Sequence, residues 1–178
     1  MILELNGYAS ALWVASCVSL ATAAVAWTRH TRFPGGRQFA LMMTCVVIWS
    51  ATAALEAGAQ EVSAKLVLSK IGYIGIAGEA PLFLQYALAY ARKEIRWRLS
   101  RALLWMMPVI TVGLVLTNEL HHLVWTTLVP VSTAHGQILL YGHGTWYWAW
   151  VAYYGGVTLT AVAVLVPSAF QYRRIYVW

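Results

Sequence analysis

Residues 65–91 read KLVLSKIGYIGIAGEAPLFLQYALAYA, an apolar stretch that is long enough to cross a bilayer. It carries Glu79 near its middle and Pro81 two residues later. Gly72, Gly75 and Glu79 follow one another at spacings of three and four residues, so a helix places all three on one face. Small residues on a membrane helix let a neighbouring backbone approach closely. We therefore predict a transmembrane helix whose Glu79 faces a neighbouring helix and not lipid.

Glu79 has two interpretations. A carboxyl group inside a membrane span costs about 3 kcal/mol to insert, which makes the residue a candidate for function. Alternatively, a protonated and hydrogen-bonded Glu79 only holds two helices together. The sequence leaves both interpretations open.

The composition is that of an integral membrane protein. Of the 178 residues, 61% are hydrophobic and 10% are charged, whereas soluble domains contain about 25% charged residues. The net charge of +6 does not indicate a nucleic-acid partner, because the basic residues lie mostly in short loops between apolar runs. Cys17 and Cys45 lie in apolar segments without metal-type spacing, which indicates buried small hydrophobic residues.

Five apolar segments predict an all-α fold, a polytopic transmembrane helical bundle that forms a single domain over residues 1–178. The predicted helices cover residues 8–28, 39–59, 65–91, 102–117 and 146–166, and an outer loop covers residues 118–145. Within that loop, QILLYGHG (137–144) predicts a short strand or turn on the membrane surface.

Lys and Arg are distributed unevenly between the two sides of this bundle. The loop at 29–37 carries three, the loop at 92–101 carries five and the tail carries two, whereas the opposite side has only Lys65 and Lys70. By the positive-inside rule, this bias predicts an N-terminus outside and a cytoplasmic C-terminus. The final IYVW resembles the start of another apolar run, so we expect further helices in a longer protein.

Three charged side chains lie near the outer ends of the second and third helices. Lys65 is expected to extend its ammonium group to the membrane interface. Glu56 and Lys70 lie at comparable depth and are a candidate interhelical ion pair. Alternatively, both reach the water of the headgroup region.

An outward-facing cavity is the main candidate site. Aromatic rings around one charged group can bind a small amphipathic or cationic ligand, and the fifth helix opens with WYWAW. An aromatic belt at the interface is the preferred interpretation for Trp146 and Tyr147, whereas Tyr153 and Tyr154 lie deeper. The candidate ligand-binding residues are Glu56, Lys70, Tyr73, Glu79, Trp148, Tyr153 and Tyr154.

The outer loop holds four of the five histidines, His121, His122, His135 and His143. Histidine can bind transition metals, but this spacing matches no known motif, and adjacent helical residues point about 100° apart. Three interpretations of these histidines stay open: a metal site, a pH-sensing site, or loop residues with neither role. The chain has no HExxH, no CxxC and no Asp, so we predict neither an enzyme nor a cofactor.

Four segments, in order, resemble the N-terminal seven-helix transmembrane (7TM) region of sensor histidine kinases. They are FALMMTCVVIWSATAALE (39–56), KIGYIGIAGEAPLFLQYALAY (70–90), TNELHHLVW (117–125) and YGHGTWYWAWVAYYGG (141–156). In this family the region precedes PAS, histidine kinase or diguanylate cyclase modules. The chain covers about five of the seven helices, and Glu79 stands where many members are expected to carry an uncharged residue.

The resemblance implies a membrane-embedded sensory input domain of a two-component-type protein in the plasma membrane of a prokaryote. Such a domain is expected to bind an extracellular or membrane-borne small ligand or ion. It would then pass a helix-packing change to a cytoplasmic output module, in cis or in trans. A full-length relative would carry a histidine kinase, and homodimerisation is implied as well.

Two other functions remain open. One is a small proton- or ion-coupled membrane transporter that uses Glu79. The other is a membrane metalloenzyme that uses the outer His and Glu residues.

Overall fold

The computed structural model of the chain describes residues 7–93, 98–133 and 136–173. It confirms the predicted polytopic helical bundle and adds an antiparallel hairpin before the last helix. The elements are α1 (Gly7–Arg29), α2 (Gly36–Gly58), α3 (Val62–Tyr90), α4 (Arg98–Leu116), α5 (Asn118–His121), β1 (Trp125–Thr133), β2 (Gly136–His143) and α6 (Thr145–Arg173). His135, Arg96 of the basic loop and the tail at 174–178, which the predictions above include, lie outside the described residues.

Four of the described helices, α1, α2, α3 and α6, are long and apolar enough to cross a membrane. The shorter α4 is apolar from Ser100 to Leu116. Large apolar side chains on these helices are exposed, among them Leu159 at 72% and Val109 at 67%, which suits contact with lipid. We call the end with residues 29–36 and 90–93 the basic end, and the end with β1 and β2 the hairpin end.

The predicted helix bounds agree with the first four spans to within four residues, but α6 is longer than predicted. The sequence predicts that the last helix ends at residue 166, before Pro167, yet α6 continues through Pro167 to Arg173. Pro167 has no N–H to donate within the helix. The remaining helical bonds keep the backbone paired, which the bilayer requires, so the helix tolerates this one loss.

Close contact between α2 and α3 determines the arrangement of the bundle. α3 presents Gly72, Gly75 and Gly78 to α2. A Cβ atom added at Gly75 would lie 2.5 Å from the carbonyl oxygen of Cys45 and 2.9 Å from the backbone nitrogen of Trp49. Because these are backbone atoms, they cannot rotate away, and the helices approach this closely only without a side chain at Gly75.

A buried asparagine organises the hairpin end. Asn118 is only 4% exposed, and its Nδ2 donates to the carbonyl oxygen of Trp125 at 2.9 Å. Its Oδ1 accepts hydrogen bonds from the backbone N–H groups of Val124 at 3.1 Å and Trp125 at 3.0 Å. These bonds satisfy the buried amide and fix the start of β1 against α5. Val115, Val124 and Trp125 form the small core beside it.

β1 and β2 form an antiparallel ribbon that leads directly into α6. Leu128 pairs with Tyr141, and an irregularity in register lies between Trp125 and Leu128. The strand β2 covers most of the segment that the sequence predicts as a strand or turn. Trp146, in the first turn of α6, donates from Nε1 to the Thr111 hydroxyl at 3.0 Å. The ribbon and the start of α6 are therefore attached to α4.

Replacing Gly75 by Ala is expected to separate α2 from α3 and to lower the thermal stability of the purified protein by several degrees. The added methyl group meets backbone atoms, and overpacking of this kind costs roughly 1–3 kcal/mol. Gly155→Ala is the matched control, because an added Cβ there has no atom within 4 Å. Equal melting temperatures for the two variants in detergent would show that the contact at Gly75 does not hold the helices together.

Candidate functional site

A cavity of about 210 Å³ opens at the hairpin end between α2, α3, the β-ribbon and the start of α6. Two of the predicted ligand-binding residues, Glu56 and Tyr73, line it. The other residues of its wall are Trp49, Thr52, Ala53, Leu68, Ser69, Gly72, Ile76, Trp125, Tyr141, His143 and Tyr147. The cavity is therefore mostly aromatic and apolar, with few polar groups.

Three polar side chains in the wall form one hydrogen-bonded chain. The Tyr141 hydroxyl donates to Glu56 Oε1 at 2.8 Å, and the hydroxyls of Tyr141 and Ser69 lie 2.5 Å apart. Because Tyr141 uses its proton for Glu56, Ser69 donates to the oxygen of Tyr141. The chain links α2, α3 and β2, so a ligand that takes one of these bonds acts on three elements at once.

Burial and the neighbouring Glu56 carboxylate raise the pKa of Tyr141 above its usual value. The phenol therefore stays protonated at physiological pH and remains a hydrogen-bond donor. Lys65 does not neutralise the carboxylate directly, because its Nζ donates to the carbonyl oxygen of Glu56 at 2.6 Å. At 2% exposure Lys65 is buried, so the predicted extension to the interface is wrong. The Glu56 carbonyl near the end of α2 satisfies the ammonium group inside the protein.

The aromatic side chains of the wall contact one another. Tyr73 meets Trp125 edge to face with ring centroids 5.4 Å apart, and Trp125 lies 5.1 Å from Tyr141. His143 stacks on Tyr147 at 3.8 Å. These contacts join the rings into one continuous wall, and the π faces of aromatic rings attract cations.

The predicted Glu56–Lys70 ion pair does not form. The Lys70 ammonium instead binds both oxygens of Glu119 at 2.6 and 2.8 Å, and it donates to the Leu116 carbonyl at 3.1 Å. The hydrogen bond from Lys70 lowers the pKa of Glu119 below its usual value. Lys70 thus connects α3 to α5 and the end of α4. The sequence pattern did not predict α5 as a separate helix, so Glu119 was not recognised as the partner of Lys70.

Glu79 belongs to a second polar contact, deeper in the bundle. Its Oε2 accepts a hydrogen bond from the Tyr154 hydroxyl at 3.1 Å, so Glu79 lies at the interface between α3 and α6. Ten residues separate it from Ser69 on α3, a distance of about 15 Å along the helix axis. The predicted cavity therefore divides into two separate polar sites.

The remaining two predicted residues also lie outside the cavity wall. The Tyr153 hydroxyl donates to the Leu104 carbonyl at 2.5 Å, which connects α6 to α4. Trp148 is 62% exposed beside Tyr147 and His143. Sequence reasoning missed Ser69, Tyr141 and Trp125 as cavity residues. Tyr141 carried a signal, since it lies in the β-prone run, but a strand position does not identify the helix that its hydroxyl reaches.

The described histidines do not assemble into a metal site. Within the described ranges, no group of three or more His, Cys, Asp or Glu side chains could hold a metal ion. His121 Nδ1 accepts from the Leu123 N–H at 3.0 Å, and its Nε2 lies 3.2 Å from the Thr117 hydroxyl. Both ring nitrogens therefore have partners within the protein, and His143 stacks on an aromatic ring.

Removing the Tyr141 hydroxyl with Tyr141→Phe is expected to destabilise the protein by about 1–3 kcal/mol, because it leaves Glu56 and Ser69 without this partner. Tyr147→Phe is the control, since it deletes a hydroxyl for which the described residues show no hydrogen bond. Thermal unfolding in detergent compares the two variants. A Tyr147→Phe variant as unstable as Tyr141→Phe would contradict the importance of the hydrogen-bonded chain.

The comparisons with known proteins agree with this architecture. Residues 11–178 match the family described as the N-terminal 7TM region of histidine kinase. No curated protein and no solved structure matches the chain. The matched region is the sensory, non-catalytic part of such kinases. Because the match covers nearly the whole sequence, the chain belongs to the family of N-terminal 7TM regions of histidine kinases.

Proposed function

We propose that this membrane sensory domain binds a small organic cation in the cavity at its hairpin end. The observation that carries the proposal is a single carboxylate, that of Glu56, inside a wall of aromatic rings. Rings and one anion together favour a cationic ligand over an anionic one. Under the positive-inside rule the hairpin end faces outward, so the ligand would reach the cavity from outside the cell or from the outer leaflet.

The size of the cavity limits the ligand. Pockets for drug-sized ligands measure about 300–1,000 Å³, and this cavity holds about 210 Å³. A ligand of fewer than about ten non-hydrogen atoms with one positive centre suits that volume. Glu56 would bind the charge, while Trp49 and Tyr73 would contact its apolar groups.

The same cavity offers a route for the signal. A cation at Glu56 would compete with the Tyr141 hydroxyl, and Tyr141 is connected to Ser69 of α3. His143 and Tyr147 lie at the junction of β2 and α6, and α6 runs about 44 Å from there to the basic end. Binding would bias the packing of α6 against α3, which passes the change to a cytoplasmic output module in cis or in trans. The ligand can shift that equilibrium only by its difference in affinity for the two arrangements.

The expected setting is the plasma membrane of a prokaryote, with a histidine kinase as the output and with dimerisation as in such kinases. The family membership supports these points as expectations for the whole protein. The aromatic cavity supports the ligand class independently of them.

Choline and its uncharged isostere 3,3-dimethylbutan-1-ol form a matched pair of probes for the cavity. Choline is expected to bind at least about tenfold more tightly than the neutral probe. Only choline carries a positive charge that the aromatic rings and the Glu56 carboxylate attract. Quenching of intrinsic tryptophan fluorescence measures both affinities in detergent, since Trp49 and Trp125 line the cavity.

Glu56→Gln should abolish the preference for choline and leave the weak binding of the neutral probe unchanged. Glu61→Gln is the control, because Glu61 is exposed at the same end of the bundle and does not line the cavity. Equal affinities of the wild-type protein for the two probes would refute a cation site. If Glu61→Gln also lost the preference for choline, the carboxylate effect would not be specific to the cavity, which would contradict the proposal.

The Glu79–Tyr154 contact favours a second candidate function, a small proton- or ion-coupled transporter. A carboxyl group hydrogen-bonded to a tyrosine hydroxyl within the membrane can exchange a proton with a neighbouring polar group. The contact lies between α3 and α6, the same two helices that the proposed signal would move.

Proton flux into proteoliposomes, measured with a trapped pH-sensitive dye, tests this candidate. A transporter should acidify the vesicles faster than empty liposomes, and Glu79→Gln should reduce the rate at least about tenfold. Tyr154→Phe should reduce it less, since the carboxyl group remains. Glu56→Gln is the control at the hairpin end. Flux equal to that of empty liposomes would remove the transporter and leave the sensor proposal unaffected.

A further inference from the structure

A second cavity, of about 430 Å³, lies at the basic end of the bundle, opposite the aromatic cavity. The loop before α2, the last turns of α3 and the start of α4 enclose it. Three basic side chains line it, those of Arg92, Lys93 and Arg101, together with the amides of Gln38 and Gln85. We call it the basic pocket. No acidic side chain is present among its lining residues.

The three basic groups give the lining of this pocket a positive charge. The ion pair found there joins Lys70 to Glu119 at the other end of the bundle. Arg92, Lys93 and Arg101 have no carboxylate partner among the described residues. Three cations around one cavity attract an anion, and unpaired like charges repel one another until an anion is bound.

Arg92 has a backbone conformation that glycine adopts more easily than arginine does. Arg92 has a φ of 53°. Its N–H donates to the Ala89 carbonyl at 3.1 Å, and the Lys93 N–H donates to the Leu88 carbonyl at 2.8 Å. This pair of bonds is the Schellman motif at a helix C-terminus, in which the left-handed position is usually glycine. A side chain in that conformation costs about 1 kcal/mol, so Arg92 is placed at some cost to stability.

Interaction with the helix dipole explains only part of this arrangement. Cations are favourable at the C-terminus of a helix such as α3. That effect does not require a side chain at the left-handed position, and it does not account for Arg101, which lies in the first turn of α4. α4 has 19 residues, and the positive end of its dipole at the N-terminus favours an anion. Charges from α3 and from α4 thus converge on one cavity.

We propose that the basic pocket binds a phosphate group. Arginine binds phosphate through two parallel hydrogen bonds, and Lys93 adds a point charge. Gln38 supplies a neutral donor from α2. The positive-inside rule places the pocket at the cytoplasmic surface, where both phospholipid headgroups and soluble phosphates occur. A phosphate held there would connect the ends of α3 and α4 and would reduce the repulsion among their cations.

Short-chain lipids test the proposal on the purified chain in detergent. Dioctanoyl-phosphatidylglycerol, dioctanoyl-phosphatidylcholine and inorganic phosphate are each titrated at constant ionic strength, and native mass spectrometry counts the bound molecules. A headgroup site binds phosphatidylglycerol more tightly than phosphatidylcholine and inorganic phosphate. A site for soluble phosphate binds inorganic phosphate at least as tightly as phosphatidylglycerol. If neither anion binds more tightly than phosphatidylcholine, the proposal is overturned.

Arg92→Gly is the sharpest variant, because glycine suits a φ of 53° and the fold is expected to keep or gain stability. Anion affinity should fall about fivefold for each basic residue removed, and therefore roughly a hundredfold in Arg92→Gly/Lys93→Gln/Arg101→Gln. Arg29→Gln/Arg32→Gln/Arg37→Gln is the charge-matched control, since these three residues lie near the same end without lining the pocket. Undiminished binding in the triple variant, or an equal loss in the control, would overturn the proposal.

Discussion

The contact of α2 with the glycine face of α3 is the interaction on which the rest of the structure depends. At Gly75 the α2 backbone lies where a side chain would otherwise be. At Gly72 an added Cβ would lie 2.9 Å from the Thr52 hydroxyl, and both residues line the aromatic cavity. The same glycine face thus brings the helices together in the membrane and leaves open space beside Glu56.

The bilayer requires every buried polar group to find its partner inside the protein. Within the described residues, no buried side-chain nitrogen or oxygen lacks a hydrogen bond. Lys65 uses a carbonyl at the end of α2, and Asn118 uses the start of β1. These hydrogen bonds attach the α2–α3 connection and the β-ribbon to the neighbouring helices. The hairpin end is consequently built into the bundle and is not a separate loop above it.

The two cavities have opposite electrostatic character. The cavity at the hairpin end combines aromatic rings with Glu56, whereas the basic pocket combines Arg92, Lys93 and Arg101. α3 lines both cavities, through Ser69 and Gly72 at one end and through Gln85 at the other. A ligand in either cavity therefore acts on the same helix. In the proposed sensor, the phosphate site would bias the state that the outer ligand also controls.

The sequence by itself determined the helical bundle, the number of apolar segments and the difference between its ends, because hydropathy and Lys/Arg placement act locally along the chain. It also indicated that Glu79 faces another helix. Only the tertiary structure decided that Lys70 binds Glu119, that Tyr141 reaches Glu56, and that Glu79 lies apart from the aromatic cavity. Those partners are distant in sequence, and their contacts depend on the rotation of each helix about its axis. A helix that is apolar on many sides, because lipid surrounds it, carries no sequence pattern that specifies this rotation.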